Sequence, residues 1–287
     1  MPSMTSPATA TSRSPEEITS DLARLGVRTG DALMVHASLR KLGPVRGGAR
    51  GVIEALDAAV GSDGTLLMIL GAVVEHEWVN EHPEEERAAL LEAVSPYDPL
   101  ASPVLPEVGY LAEAFRTHPG TVVTDNPSGR FAARGRTADA LFRDAPWDDY
   151  YGPDSPLHRL CDAGGRVLRM GANPDTTTVL HYAEYLADVP GKRRVRRHYR
   201  VRGANGSETR SVECLDDEHG IVDWPPEGSP PVAWPDDDYF AVILQAYLGE
   251  GRGARGIVGG ADAQLLDAAD IVAYGARWMS EHLRPSR

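Results

Sequence analysis

Cysteine is scarce in this chain. Of 287 residues only Cys161 and Cys214 are cysteines, and they form no CxxC pair. That leaves neither a disulfide framework nor a cysteine zinc motif, and the expected compartment is the reducing cytoplasm. Long apolar runs are also lacking. None approaches the roughly 20 residues of a membrane span, so no membrane partner is expected. Residues 1–13, MPSMTSPATATSR, have no signal-peptide core and read as a disordered tail ahead of one domain over 14–287. No GxSxG elbow and no solenoid repeat is present. Positive charge is short: 29 Lys and Arg stand against 42 Asp and Glu, a formal charge of −13. This argues against nucleic acid as the main partner.

What is present is acid, unevenly placed. Between Glu75 and Asp98 there are eight carboxylates (Glu75, Glu77, Glu81, Glu84, Glu85, Glu86, Glu92, Asp98) and one base, Arg87. Between Asp216 and Asp238 there are eight more, Asp217 and Asp223 among them, and no Lys or Arg. Such stretches are either solvated loops or the walls of a site for a cation. The one basic run, KRRVRRHYRVR, has a single interleaved aromatic, Tyr199. It reads as a strand whose arginines face solvent or neighbouring acids.

The chain opens with a helix over Ser14–Leu25, where SPEE supplies an N-cap, a first-turn Pro and first-turn acids. DALMVHAS then reads as a buried strand, RGGARGVIEALDAAVG as an amphipathic helix and GTLLMIL as a second buried strand. Strand, helix, strand is the pattern of a parallel α/β unit. An acidic segment at about 73–105, with one helix near Glu84–Val94, interrupts it as an inserted subdomain. Further elements follow: a helix near Pro106–Phe115, a strand at GTVV, helices at TADALFR and near Pro156–Ala163, and the strand RVLRMGA. A loop is expected up to about Pro235. Two closing helices, near Asp236–Leu248 and Ala261–His282, are joined by the Gly-rich GEGRGARGIVGG. The expected architecture is a three-layer α/β/α sandwich with a mostly parallel central sheet.

Asp175, Thr178, His181 and Glu184 fall at three-residue intervals in PDTTTVLHYAEYL, directly after RVLRMGA. On a helix they share one side. Asp175 suits an N-cap, while it or Asn173 could meet a ligand at the carboxyl end of the strand. A carboxylate at i+3 fixes the tautomer of His181 and raises its basicity, as a general base requires. The Thr178 hydroxyl suits a developing oxyanion. Three readings stay open on spacing alone: a surface pair, a catalytic row, or half of a two-helix metal site whose second half is not visible. His36 and Ser38, in VHAS at the end of the first strand, offer a contact for a phosphate or amide, or a turn cap.

Several motifs in order carry a family resemblance. VHASLRKLGPVRGGARGVIEAL, GTLLM, NPSGRFAARG, YYGPDSPLHRL, GGRVLRMGANPDTTTVLHYAEYLADVPGKRR and the C-terminal PDDDYFAVILQAYLGEGRGARGIVGGADAQLLDAADIVAYGARWM resemble the aminoglycoside 3-N-acetyltransferases of the antibiotic N-acetyltransferase superfamily. The resemblance implies acetyl transfer from acetyl-coenzyme A to the 3-amino group of a 2-deoxystreptamine aminoglycoside, by direct attack in a ternary complex. It makes His181 the base, Glu184 its orienting partner and Thr178 the oxyanion donor. His36, Ala37, Ser38 and Leu39 are expected along the pantetheine, with Gly47 and Gly48 near the pyrophosphate and Asn126 and Ser128 as further coenzyme contacts. Asn126 stands where many members have His, which removes a titrating group from that position. Glu75, Asp98, Asp175, Asp217 and Asp223 are expected to hold the ammonium groups of the drug. No metal is implied, and the chain is expected to act as a monomer or homodimer. The alternatives are an acyltransferase of the same superfamily for another amine, or a metal-dependent hydrolase built on His181 and Glu184.

Overall fold

The structure, a computed structural model, describes residues 12–203, 206–225 and 238–283. Most of the sequence-predicted tail, with Glu227, Asp236 and Asp237, lies outside the described residues. Arg13 does not belong to a tail. Its amide donates to Pro44 O at 2.9 Å and its guanidinium meets Asp21 at 3.0 Å.

Helix α1, Pro15–Leu25, carries the expected Ser14 capping box with Glu17. Strand β1, Ala32–Ala37, is buried almost throughout because ALMVHA is apolar on both faces. The short α2, Leu39–Leu42, and α3, Gly48–Val60, lead to β2, Thr65–Ile69. Then come α4, Val74–Asn80, α5, Glu84–Ala93, and α6, Tyr110–Arg116. Strands β3, Val122–Val123, and β4, Phe131–Gly135, precede α7, Ala138–Phe142, and α8, Pro156–Asp162. The chain continues through β5, Arg166–Met170, α9, Leu180–Leu186, β6, Arg194–Gly203, and β7, Gly206–Leu215. It closes with α10, Tyr239–Gly249, β8, Ala254–Val258, β9, Ala261–Asp267, and α11, Ala268–His282.

The central sheet runs β3-β4-β2-β1-β5-β9-β8. Its parallel part is the middle, where β1 pairs with β2 and β5, and antiparallel pairs extend it on both sides. Side chains alternate across it. Leu33 and Val35 join a core with α1, α3 and α6, whereas Met34 joins a second core with α7 to α11. Helices therefore cover both faces, and the α/β/α layering is the expected one. Among the described residues no helix is long and apolar enough to cross a membrane.

Four strands differ from the sequence reading. FAARG becomes β4 because it closes against β2, from Thr65↔Gly135 to Ile69↔Phe131. The expected loop after residue 203 begins with β7, which pairs with β6 from Gly203↔Gly206 to Arg194↔Leu215. The Gly-rich linker holds β8, which turns at Gly259-Gly260 and pairs with β9 as a hairpin. ADAQLLD is rich in helix formers, so local propensity favours continuing the last helix backward. The free edge of β5 takes it as a strand instead, and Asp267 caps α11 by accepting the Asp270 amide at 2.9 Å.

The acidic segment lies against the β6–β7 hairpin through α4 and α5, over a small apolar cluster of Val79, Leu91 and Val94. The basic run meets neighbouring acids, the second of its two sequence readings. Arg202 pairs with Asp98 at 2.7 Å, Arg194 with Asp149 at 2.8 Å, and Arg196 with Glu213. Arg200 donates to Glu92 O and Val94 O.

Helix α11 backs α9 at Gly275, where an added Cβ would lie 2.6 Å from Leu180 Cδ2 and 3.3 Å from Ala183 Cβ. Gly275→Leu is expected to lower the unfolding free energy by about 1–3 kcal/mol through overpacking. Urea denaturation checks this, and an unchanged midpoint contradicts it.

Candidate functional site

The site forms at the carboxyl ends of β1 and β5, where parallel α/β sheets gather ligands. In register, His36 lies beside Arg169 and Ala37 beside Met170. Beyond them the chain turns into α2 from β1, and into the 171–179 segment from β5.

The predicted helix from Asp175 does not form there. Thr176 Oγ1 donates to Asn173 O at 2.7 Å and Thr177 Oγ1 to Pro174 O at 3.2 Å, so the threonine hydroxyls hold a turn. Helix α9 starts at Leu180, and its cap residue, Val179, offers no side-chain bond. Asp175 is thus not an N-cap. Its Oδ1 is buried and has no hydrogen-bond partner among the described residues. The four-residue row is half turn and half helix, yet Asp175, Thr178 and His181 still line one cavity, while Glu184 stands behind His181.

His181 Nδ1 is 2.8 Å from Glu184 Oε2. Glu184 is 1% exposed, and its other oxygen accepts the Tyr239 hydroxyl. The imidazole stacks on Tyr151 at 4.9 Å and 13°, and Phe240 meets it edge-on at 4.8 Å and 69°. One bonded neighbour and two rings fix its plane. Among the described residues Nε2 has no protein partner. Burial alone pushes this imidazole down. The charge and hydrogen bond of Glu184, with Asp217 and Asp238 farther off, outweigh that and hold it above the ordinary histidine value. Burial raises the Glu184 carboxyl, and His181 and Tyr239 reverse this only in part.

Two cavities share His181 as a wall. The first, about 520 Å³, is bounded by His36, Ala37, Ser38, Leu39, Arg40 and Lys41, by the 107–112 segment, and by Tyr151, Thr178 and His181. No described side chain or backbone group engages the Thr178 hydroxyl. Ser38 caps α2 by accepting the Lys41 amide at 3.4 Å, its turn-cap reading, and also faces this cavity. His36 is buried and held neutral: burial, then Arg169, pushes its imidazole down to about 3. A neutral ring gives no charge to a phosphate.

The second cavity, about 270 Å³, is acidic. Glu184, Asp217, Glu218 and Asp238 line it with His219, Trp224, Tyr239 and Phe240. Asp217 is engaged by buried Arg197 and by the Tyr150 hydroxyl at 2.9 Å. Glu218 is 3.6 Å from the same guanidinium and half open to solvent, and Asp238 caps α10. Burial lifts Asp238, and burial with Glu218 and Asp217 nearby lifts Glu77 to about 7.

Several sequence candidates stand elsewhere. Gly47 and Gly48 begin α3 with positive φ of 83° and 59° and line neither cavity. Asn126 and Ser128 are buried scaffold. Asn126 Oδ1 accepts the Ser128 and Gly129 amides at 2.9 and 3.2 Å, and Ser128 Oγ bonds Tyr150 and Tyr199. Glu75 is an exposed residue of α4, Asp98 caps its own loop and pairs with Arg202, and Asp223 pairs with Arg193. Of the five expected drug contacts, Asp175 and Asp217 alone reach a cavity. Tyr151, Glu218, Asp238, Tyr239 and Phe240 were not legible as site residues. They come to the site through contacts across the fold: Tyr239 of α10 bonds Glu184, and Phe240 of α10 and Tyr151 meet the His181 ring. Among the described residues no group of three or more His, Cys, Asp or Glu could hold a metal ion.

Residues 34–280 match the family described as aminoglycoside 3-N-acetyltransferase. The chain is similar to aminoglycoside N(3)-acetyltransferase VIII of Streptomyces fradiae, at 40% identity over 266 residues, 92% of this chain and 90% of that one. It is similar to the solved AAC-IIIb binary complex with CoASH, with a TM-score of 0.82 at 37% identity over 94% of this chain and 97% of the other. AAC-VIa bound to sisomicin gives a TM-score of 0.86 at 34% identity over 94% and 98%.

Proposed function

Because this chain belongs to the aminoglycoside 3-N-acetyltransferase family, we propose that His181 is the base for direct acetyl transfer between substrates held in the two cavities it separates. The activity is that of an acyltransferase, with acetyl-coenzyme A as donor and an aminoglycoside as acceptor. The observation that carries the mechanism is the shared wall: one imidazole borders both the larger pocket at the β1 end and an acidic pocket at the α10 end.

The thioester arm lies along His36 to Leu39, with its carbonyl toward Thr178 and His181. The drug sits among Glu218, Asp238 and Asp217, where its ammonium groups meet carboxylates. Asp217, already bonded to Arg197 and Tyr150, contributes less than the other two. The neutral 3-amine attacks the thioester carbonyl as Nε2 of His181 takes the amine proton. The C–N bond forms, and the carbonyl oxygen becomes an oxyanion within reach of the Thr178 hydroxyl. Collapse breaks the C–S bond, and the thiolate leaves with the proton returned from the imidazolium. No acetyl-enzyme is required, because both substrates are bound at once and gain from proximity. His36, neutral and lining the cavity, takes an amide of the pantetheine in this reading.

The test is thiol release from acetyl-coenzyme A with a panel of aminoglycosides and simpler amines, followed by mapping of the acetylated nitrogen. Acetylation at N3 is expected, and turnover only with other amines contradicts the acceptor assignment. The same assay checks the acidic cavity. Raising ionic strength from about 0.1 to about 1 M shortens the screening length from about 10 to about 3 Å. The drug KM is expected to rise, and a KM indifferent to salt contradicts the carboxylate contacts.

A further inference from the structure

Asp217 joins the acidic cavity to a buried polar cluster centred on Arg197 of β6, which is 7% exposed. Three consecutive carboxylates converge on this one guanidinium: Asp216 at 3.9 Å, Asp217 in direct contact and Glu218 at 3.6 Å. Its Nη1 also donates to the Tyr150 hydroxyl at 2.6 Å. That hydroxyl accepts from Ser128 Oγ at 2.8 Å, and Ser128 Oγ accepts from the Tyr199 hydroxyl at 2.7 Å. The ends of this chain force its direction. A guanidinium only donates and a carboxylate only accepts, so the Tyr150 proton points at Asp217 Oδ2, 2.9 Å away. Both oxygens of Asp217 are thereby held, one by Arg197 and one by Tyr150.

The next residue reaches the base. Tyr151 stacks on His181 at 4.9 Å, and the two tyrosine rings meet edge-on at 4.6 Å. The turn that carries them is tied to the β6–β7 hairpin. Asp149, at a left-handed φ of 48°, donates its amide to Glu213 O at 2.9 Å, and its carboxylate meets Arg194 at 2.8 Å. Asp148 Oδ1 accepts the Glu213 amide at 2.8 Å. One hairpin thus carries Arg197, anchors the turn of Tyr150 and Tyr151, and leads from Leu215 straight into Asp216 to Glu218.

We propose that Tyr150 is a positioning residue that fixes the acidic wall relative to the base: its hydroxyl holds Asp217 at the cavity, while the residue beside it holds the His181 ring. The inference rests on the acceptor reading above and deepens it. A buried guanidinium needs acceptors in any fold, and Asp217 with its two neighbours meets that need. The hydroxyl adds something else, the division of one carboxylate between two donors. Without it Arg197 loses an acceptor and Asp217 loses a donor, and the two close on each other as a two-bond fork. The carboxylate then turns toward the guanidinium, and an ammonium group in the cavity loses a partner.

Tyr150→Phe removes one oxygen and keeps the ring. It is expected to raise the aminoglycoside KM about fivefold, the size of one ordinary hydrogen bond, and to leave KM for acetyl-coenzyme A within about twofold. In an Asp217→Asn background the same substitution is expected to move the drug KM by less than about twofold, because the group it positions is gone. Ser128→Ala, one step back along the hydroxyl chain, is expected to give a smaller rise, again confined to the drug. Additive losses in the double variant overturn the proposal, and so does an unchanged drug KM. Equal rises for drug and donor overturn it too, since they mark general loosening. Calorimetry of drug binding needs no turnover. Weaker binding to Tyr150→Phe supports the positioning role and equal binding overturns it, whether or not acetyl is transferred. Unmodified protein that binds the drug and transfers no acetyl group strikes the transfer reading instead.

Discussion

His181→Ala is expected to reduce kcat about a thousandfold, within the roughly 10²- to 10⁴-fold range of a lost general base, while acetyl-coenzyme A still binds. The reason lies in what this side chain alone supplies. It is the one imidazole bordering both cavities, with Nδ1 held by Glu184 at 2.8 Å and Nε2 left for the amine proton. His36 and His219, the other histidines of the two cavities, do not replace it. His36 is buried, with Nε2 cut off from solvent, and His219 is drawn to Asp216 at 3.5 Å. Removing the ring also removes its stacks with Tyr151 and Phe240, so His181→Gln serves as a better filled companion. Both variants are expected to keep donor binding by calorimetry and to lose turnover in the thiol assay. Either one turning over near the unmodified rate shows that the proton leaves by another route.

Glu184→Gln is expected to move the acid limb of the pH–rate profile downward and to lower the plateau by about ten- to a hundredfold, part of the base's own contribution. The sign follows from the environment. A base works when neutral, so kcat rises as pH passes upward through the His181 pKa. With Glu184 charged, that pKa stands above the ordinary histidine value despite burial. Without the charge, burial dominates and the pKa falls. The imidazole is then neutral at lower pH, and the limb follows. It is also less basic, and the amide holds its tautomer less firmly, so the plateau drops. Because the two groups titrate together, the limb belongs to the pair. An acid limb that stays in place, or moves upward, refutes a charged Glu184 as the group that sets the base. Tyr239 bears on the same point, since its hydroxyl bonds Glu184 and orients the carboxylate toward Nδ1.

Much of this site was legible as spacing. The i, i+3 pair His181–Glu184 needs only a helical turn, and α9 provides it. His36 to Leu39 needed only a buried strand ending at Ala37, which ALMVHA dictates. Asp175 misled because a carboxylate before a helical pattern is a good cap, whereas the Thr176 and Thr177 hydroxyls satisfy the turn locally and delay the helix. The acid counts were informative as a total and poor as a map. Glu75, Asp98 and Asp223 belong to dense acidic stretches, yet an exposed face or an arginine of the chain itself takes each one. Glu218 and Asp238 come from the same stretches and reach the cavity.

Local chemistry therefore determined the helices with their caps, the buried parallel strands and the His–Glu pair, since each depends on residues within a turn or a strand of one another. Four strands were decided otherwise. Phe131–Gly135, Gly206–Leu215, Ala254–Val258 and Ala261–Asp267 are strands because an open edge or a partner strand offered hydrogen bonds that outweighed their own propensity. The same holds for the walls of the site. Tyr151, from the loop before α8, and Phe240, from α10, clasp His181 from about 30 and 59 residues away, and α10 brings Asp238 with it. No spacing in the chain encodes those distances. They follow from α9, α10 and the loop before α8 burying apolar residues in one core, which only the folded packing can specify.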